Sequence, residues 1–413
     1  MKTILAVAAL LLGAAAAPAA DTCTTCHGGL DDPKLSDPVK KSAPDIHFRR
    51  GFNCSSCHAG DGTASKKEDA HSAAKGFRVP RGALAVETCA HCHSDPSFMK
   101  NYDPGVSTDQ ESQYRESHHG KKLAEGDVKV ATCVSCHGNH GILQVKDPLS
   151  PVYKRNVPAT CGRCHGDADY MKGRKIPTDV VAKYEHSVHG TALLGRGDMG
   201  APACNSCHGN HGATPPGATS VANVCGTCHS QQADYFRDSK KKANFDENGI
   251  AACVFCHSQH DIKAPTDAML GTGKESVCLQ CHEDKDDAGF VAAQKWEAGF
   301  RSLSTKLEDA TRVLEKAERA GMEVSGPLFR LTEAHDHLFQ ARVIIHSYDA
   351  GKVLEKLTTG EAIAVAARGE GEMALSEIDY RRRGLYISLF AIGLLAVGIW
   401  FKIRELDRKL PPG

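Results

Sequence analysis

The chain has 413 residues, including 18 cysteines and 22 histidines, and only 6% of it is aromatic. That length ordinarily holds two or three domains, but scarce aromatics make side-chain packing a poor organiser, and dense cysteine demands disulfide, metal or cofactor chemistry. Lysine plus arginine and aspartate plus glutamate both total 50, which excludes the strong positive field of a nucleic-acid binder.

Residues 1–20 read as a secretory signal. Lys2 supplies the charged start, Ile4 to Ala17 the apolar run, and Ala17-Pro18-Ala19 a small-residue cleavage site. The apolar run is short for a membrane span.

Residues 21–287 hold every cysteine, and each falls in a CxxCH motif. In order these are Cys23, Cys26 and His27; Cys54, Cys57 and His58; Cys89, Cys92 and His93; Cys133, Cys136 and His137; Cys161, Cys164 and His165; Cys204, Cys207 and His208; Cys225, Cys228 and His229; Cys253, Cys256 and His257; and Cys278, Cys281 and His282. This spacing suits a porphyrin. Two thiols add to the two vinyl groups on one edge, and the adjacent histidine lies under the iron as proximal ligand. A zinc ribbon needs two CxxC pairs per metal, which nine pairs cannot supply evenly, and a disulfide relay needs a single reactive pair. Nine covalently attached haem c groups, each with its iron, are therefore expected. The pattern resembles the multihaem c-type cytochromes over roughly Asp21 to Tyr348.

The motif region repeats itself. Cys133-Val-Ser-Cys-His-Gly-Asn-His140 matches Cys204-Asn-Ser-Cys-His-Gly-Asn-His211, and Cys253-Val-Phe-Cys-His-Ser-Gln-His260 is a third copy. Upstream, Tyr114-Arg-Glu-Ser-His-His119-Gly matches Tyr184-Glu-His-Ser-Val-His189-Gly, while the third copy, Phe236-Arg-Asp-Ser-Lys-Lys241-Lys, carries lysine instead of histidine. A histidine three residues past a proximal ligand cannot easily reach the same iron, so it is expected to ligate a neighbouring one. The repeat nominates His119, His140, His189, His211 and His260 as distal ligands, and looser analogy adds His47 and His71. His91, His118, His186 and His337 are spares. The run Lys240 to Lys242 reads as a solvated charge run.

Residues 288–380 change character to a helical closing segment. Phe300, Leu303, Leu307, Ala310, Leu314 and Ala317 recur at three- and four-residue spacing, which predicts an amphipathic helix. Beyond Gly321 and Gly326-Pro327, the residues Leu328, Leu331, Leu338 and Ile345 predict a second stripe, with His335 and His346 on it and His337 facing the other way. These two histidines bring the distal candidates to nine. Residues 385–401 carry no charge and are bracketed by Tyr386 and Trp400, a predicted transmembrane helix, and residues 402–413 form a short cytoplasmic tail. The expected fold class is mainly α with much irregular loop: a multihaem cytochrome c with a haem-packed core, a C-terminal helical segment and one transmembrane helix.

Cations flank both ends of the span, so the signal segment sets orientation and leaves the body outside the cytoplasmic membrane, on the periplasmic side. Without Lys2, the three arginines at 381–383, the four tail cations, Glu405 and Asp407, the exported part retains 42 basic and 48 acidic residues, a charge of −6.

Two histidines on every iron leave no open position, which favours electron transfer over substrate chemistry. The expected role is a membrane-anchored relay between an integral membrane quinone-linked redox protein and acceptors outside the membrane, including other periplasmic or outer-surface cytochromes, within a respiratory complex. The helical segment resembles the closing helices of the cytochrome c nitrite reductase, hydroxylamine oxidoreductase and octahaem tetrathionate reductase group. That resemblance implies a rival, an oxidoreductase acting on a small nitrogen or sulfur compound at one open or lysine-occupied haem. No CxxCK motif is present, and Lys241 is the residue that could restore this reading.

Overall fold

A computed structural model describes residues 21–409, so the expected signal segment at 1–20 lies outside the described residues. Helices and loops make up these residues, with no strand among them, in agreement with the mainly α expectation. The chain divides into two compact units, one holding residues up to Pro216 together with Gln259–Lys263, the other holding Gly217–Ser258 and the residues from Ala264 onward.

In the first unit the helices are short, the longest being the 11 residues of Ala83–His93. Each motif supplies its own local order. In the five-residue helices Cys54–His58, Cys133–His137 and Cys204–His208, the serine between the cysteines accepts the amide just ahead of the helix. Ser56, Ser135 and Ser206 bond Asn53, Thr132 and Ala203 at 3.1, 3.0 and 3.1 Å. A helix this short leaves most of its end groups unpaired, so this bond matters more than propensity. The chain then turns sharply after the histidine, with Gly138 and Gly209 at φ 87° and 84°, a conformation that glycine adopts without steric cost.

Apolar packing in these parts is sparse. One cluster gathers Val157, Tyr184, Ala192, Leu193, Ala201 and Ala203 in the first unit, and a smaller one joins Ala222, Phe236 and Ala252 in the second. The substantial core is a helical bundle in the second unit, formed by α1 (Ala288–Arg319), α2 (Ser325–Ile344) and α3 (Ala350–Lys409). The predicted stripe of α1 is buried from Phe300 to Ala317, extended by Ala293 and Trp296. Glycines bring α3 close: a Cβ at Gly360 would lie 3.0 Å from both Leu303 and His337, and one at Gly371 2.9 Å from Val313. Lys306–Glu361 (2.5 Å) and Arg330–Glu370 join α3 to α1 and α2.

The α2 stripe differs from the expected one. Leu331, Ala334, Leu338, Ala341 and Ile344 are buried, whereas His335 is exposed and His337 is half-buried against Gly360. Alanines at 334 and 341 take core positions because the helices approach closely there. A stripe drawn through the larger residues alone therefore keeps Leu331 and Leu338 but misses the side of the core face that Ala334, Ala341 and Ile344 occupy. α3 runs unbroken for 60 residues, so the end of the closing segment, the apolar span and the start of the tail are one helix. It is long and apolar enough to cross a membrane, and its side chains from 381 to 408 are exposed.

Candidate metal centres

Histidine geometry gives the test of the ligand expectations. Two imidazoles on opposite sides of one iron, with metal–nitrogen bonds of about 2 Å, have ring centroids about 6 Å apart. Pairs at this separation include His27–His71 (5.9 Å), His47–His93 (6.1 Å), His58–His140 (6.0 Å), His119–His165 (6.1 Å), His137–His211 (6.2 Å), His208–His260 (5.9 Å) and His257–His346 (6.2 Å). Each joins one CxxCH histidine to one nominated from outside the motifs. These residues fit a bis-histidine haem.

The pairing follows two rules. His140, His211 and His260, each three residues past a motif histidine, meet the motif histidine two motifs earlier. His47 and His119 each precede one motif and meet the histidine of the motif after it. The spares His91, His118 and His186 are exposed, whereas His93, His119 and His189 beside them are half-buried. His189 sits in the turn Val188–Gly190, where Ser187 accepts the Gly190 amide at 3.0 Å, as Ser117 does for Gly120 beside His119. His229 immediately precedes the helix Ser230–Arg237.

Nδ1 contacts orient several rings. His27, His58, His71 and His346 direct Nδ1 at the carbonyls of Leu35, Arg78, Lys67 and Val343 at 3.2, 3.0, 2.9 and 2.9 Å. Donation from Nδ1 fixes the tautomer with Nε2 bare, the nitrogen that then faces an iron. Buried Asp45 does this for His47: its Oδ1 lies 3.2 Å from Nδ1, while its Oδ2 accepts the Ile142 amide at 2.7 Å. Burial alone would raise the Asp45 carboxyl, but the bonds from His47 and Ile142 hold it below the usual range. Burial lowers both histidines of four pairs, His119 with His165, His137 with His211, His208 with His260 and His257 with His346, and lowers His93 and His140 as well, keeping these rings in the neutral form that ligates metal.

No disulfide joins the cysteines among the described residues, and they too form a series. Cysteines of successive motifs are brought together at Cys89–Cys133, Cys161–Cys204 and Cys225–Cys253. At the first two motifs, Asp21 gathers the chain by accepting the amides of Cys23 and Cys54 at 3.0 and 3.2 Å. The ligand atoms of Asp21, Cys23 and Cys54 lie within 4.8 Å of one another. Burial pushes the Cys23 and Cys54 thiols up to about 11 and about 12, so both are protonated near neutrality and poorly suited to hold a bare cation.

Among the described residues, no ring contact brings His335 to a motif histidine. It lines a groove with Ser304, Glu308, Arg312 and Arg342 of α1 and α2, which corrects its assignment as a ligand. His282 instead faces the Lys241 Nζ across 3.2 Å. Two supporting residues escaped the sequence reading. Asp287 bonds the His282 Nδ1 and also caps α1 through the Gly289 and Phe290 amides, and a Cβ on Gly289 would fall 2.3 Å from the His282 ring. An aspartate ahead of an apolar-periodic run is a legible helix cap; its second bond to a histidine is not legible.

Comparison with known proteins bears on this arrangement in two places. Residues 198–283 match the family model described as cytochrome c3, and residues 125–170 match that of the doubled CXXCH motif. No curated protein and no solved structure matches the chain. The CxxCH series, the imidazole pairs and these two matches together support a multihaem c-type cytochrome, with covalently bound haem c and electron transfer as its chemistry.

Proposed function

We propose that the chain is a nonahaem cytochrome c, exported and anchored by α3, that relays electrons between a quinone-linked integral membrane protein and acceptors outside the membrane. The observation that carries this reading is the set of histidine pairs at about 6 Å spacing, which gives most motif histidines a second imidazole and leaves those irons no open position. Haem c, when bound, supplies a reversible one-electron couple. Eighteen cysteines attach the groups, and the motif histidines with His47, His71, His119, His140, His189, His211, His260 and His346 hold the irons. The carbonyls and Asp45 fix the rings, and burial excludes water. The cysteine contacts at Cys89–Cys133, Cys161–Cys204 and Cys225–Cys253 would bring together the attachment points of those successive groups.

Membrane placement rests on the apolar stretch of α3, and export on the sequence of residues 1–20. A tethered relay gains effective concentration at a membrane partner, which suits a subunit of a respiratory complex. The rival oxidoreductase reading is favoured by one observation, the lysine rather than histidine opposite His282.

Haem-to-protein ratio and membrane retention test the proposal together. Mass spectrometry of the purified full chain is expected to give nine haems. Deleting the residues after Tyr380 is expected to release the haem-loaded protein from salt-washed membranes. A smaller haem number overturns the nonahaem reading, and continued membrane retention overturns the anchor.

A further inference from the structure

We infer that the Lys241 amine is the sixth ligand of the iron held by His282, giving this chain one histidine/lysine haem at its ninth motif. The inference rests on the proposed attachment of haem c at Cys278 and Cys281.

Three observations converge on it. Lys241 stands in the repeat where His119 and His189 stand, and the serine turn ahead of it is shared, although Ser239 caps no amide as Ser117 and Ser187 do. Ser117, Ser187 and Ser239 each donate to the carbonyl three residues back, Tyr114, Tyr184 and Phe236, at 2.6 Å. The residue presented after that turn is therefore a ligand candidate by position. The reach is also the same: His47 and His119 pass over the next motif to the histidine of the one after it, and Lys241, ahead of the eighth motif, meets His282 of the ninth.

The contact itself is the third. Lys240 is exposed, and of the two half-buried lysines that follow, Lys242 pairs with Asp246 whereas Lys241 holds its nitrogen 3.2 Å from the His282 Nε2. Asp287 occupies the His282 Nδ1, so Nε2 is the nitrogen left for iron, and the amine faces that nitrogen. Two nitrogens opposed across one iron are about 4 Å apart. A flexible lysine stem reaches this spacing by withdrawing about 1 Å, a change that rotamers accommodate. Neither His335 nor any other histidine ring is in contact with His282 among the described residues, so the lysine has no imidazole rival there.

Chemically, this site would differ from the paired-histidine sites in its amine ligand, while its carboxylate-bonded imidazole has a counterpart in His47 on Asp45. The amine donates an electron pair without an aromatic ring, and the proximal imidazole is polarised by a carboxylate where His27 and His58 face carbonyls.

The test is low-temperature EPR and near-infrared magnetic circular dichroism of the oxidised holoprotein, with Lys241→His and Lys241→Ala variants of the full chain. In the native protein, one low-spin haem in nine is expected to carry an amine–imidazole charge-transfer band. Lys241→His is expected to convert it to a bis-imidazole band, and Lys241→Ala to a high-spin ferric haem of the same amount, with the other eight unchanged. A native spectrum lacking the amine–imidazole band, or one left unaltered by both substitutions, overturns the inference. If Lys241→Ala fails to accumulate, the band shift in Lys241→His decides alone. Haem-to-protein ratio measured on the same native sample separates the two failures: fewer than nine haems counts against the underlying reading, whereas nine haems with no lysine band counts against Lys241 only.

Discussion

The motif-bearing stretches and the bundle of α1, α2 and α3 are built on different principles. In the bundle, Phe300, Leu303, Leu307 and Leu314 are essentially fully buried, and stripes on three helices close on one another without any cofactor. Around the motifs the helices are a few residues long, the apolar clusters are small, and the half-buried groups are cysteines and histidines. Short helices are marginal in water and need tertiary packing. The motif region therefore needs porphyrin surface for a core, whereas the bundle already has one.

Withholding haem is the largest way to break this contrast. In a host unable to attach haem c, limited proteolysis of the full chain is expected to degrade the motif region and leave a helical fragment spanning about residues 288–380, read by mass spectrometry. Equal resistance of both regions would show that the motif loops fold on side-chain contacts alone.

Within the bundle, Phe300→Ala is expected to destabilise the helical closure by about 3–5 kcal/mol through a lost side chain and a residual cavity. Circular dichroism should show the loss as a lower melting transition, while the haem number stays at nine. A change in haem number instead would mean that the bundle and motif region form as one cooperative structure. The smallest effect is expected at the edge, where Arg330→Met removes a half-exposed pair with Glu370 and costs at most about 1 kcal/mol, read from the same transition.

The ligand series is partly legible in the sequence because repeats carry position. His119, His140, His211 and His260 were nominated by alignment alone, and each faces a motif histidine about 6 Å away. His335 was nominated from periodicity, which failed because alanines at 334 and 341 are core residues in α2. Small residues carry little hydrophobic signal yet mark where helices come closest. Lys241 was legible as an odd member of its repeat, but its charged neighbours made a solvated run the simpler account.

From residue order alone came the motif count, the porphyrin chemistry of CxxCH, the repeat and the apolar stretch near the C-terminus, because covalent spacing and hydropathy are local properties. Pairing was decided only in three dimensions. Which histidine meets which, which cysteines of successive motifs touch, and that Asp287 serves both a helix and a histidine depend on contacts between residues from a few to some ninety positions apart. Such contacts are set by how short helices turn and pack, and no local pattern encodes them.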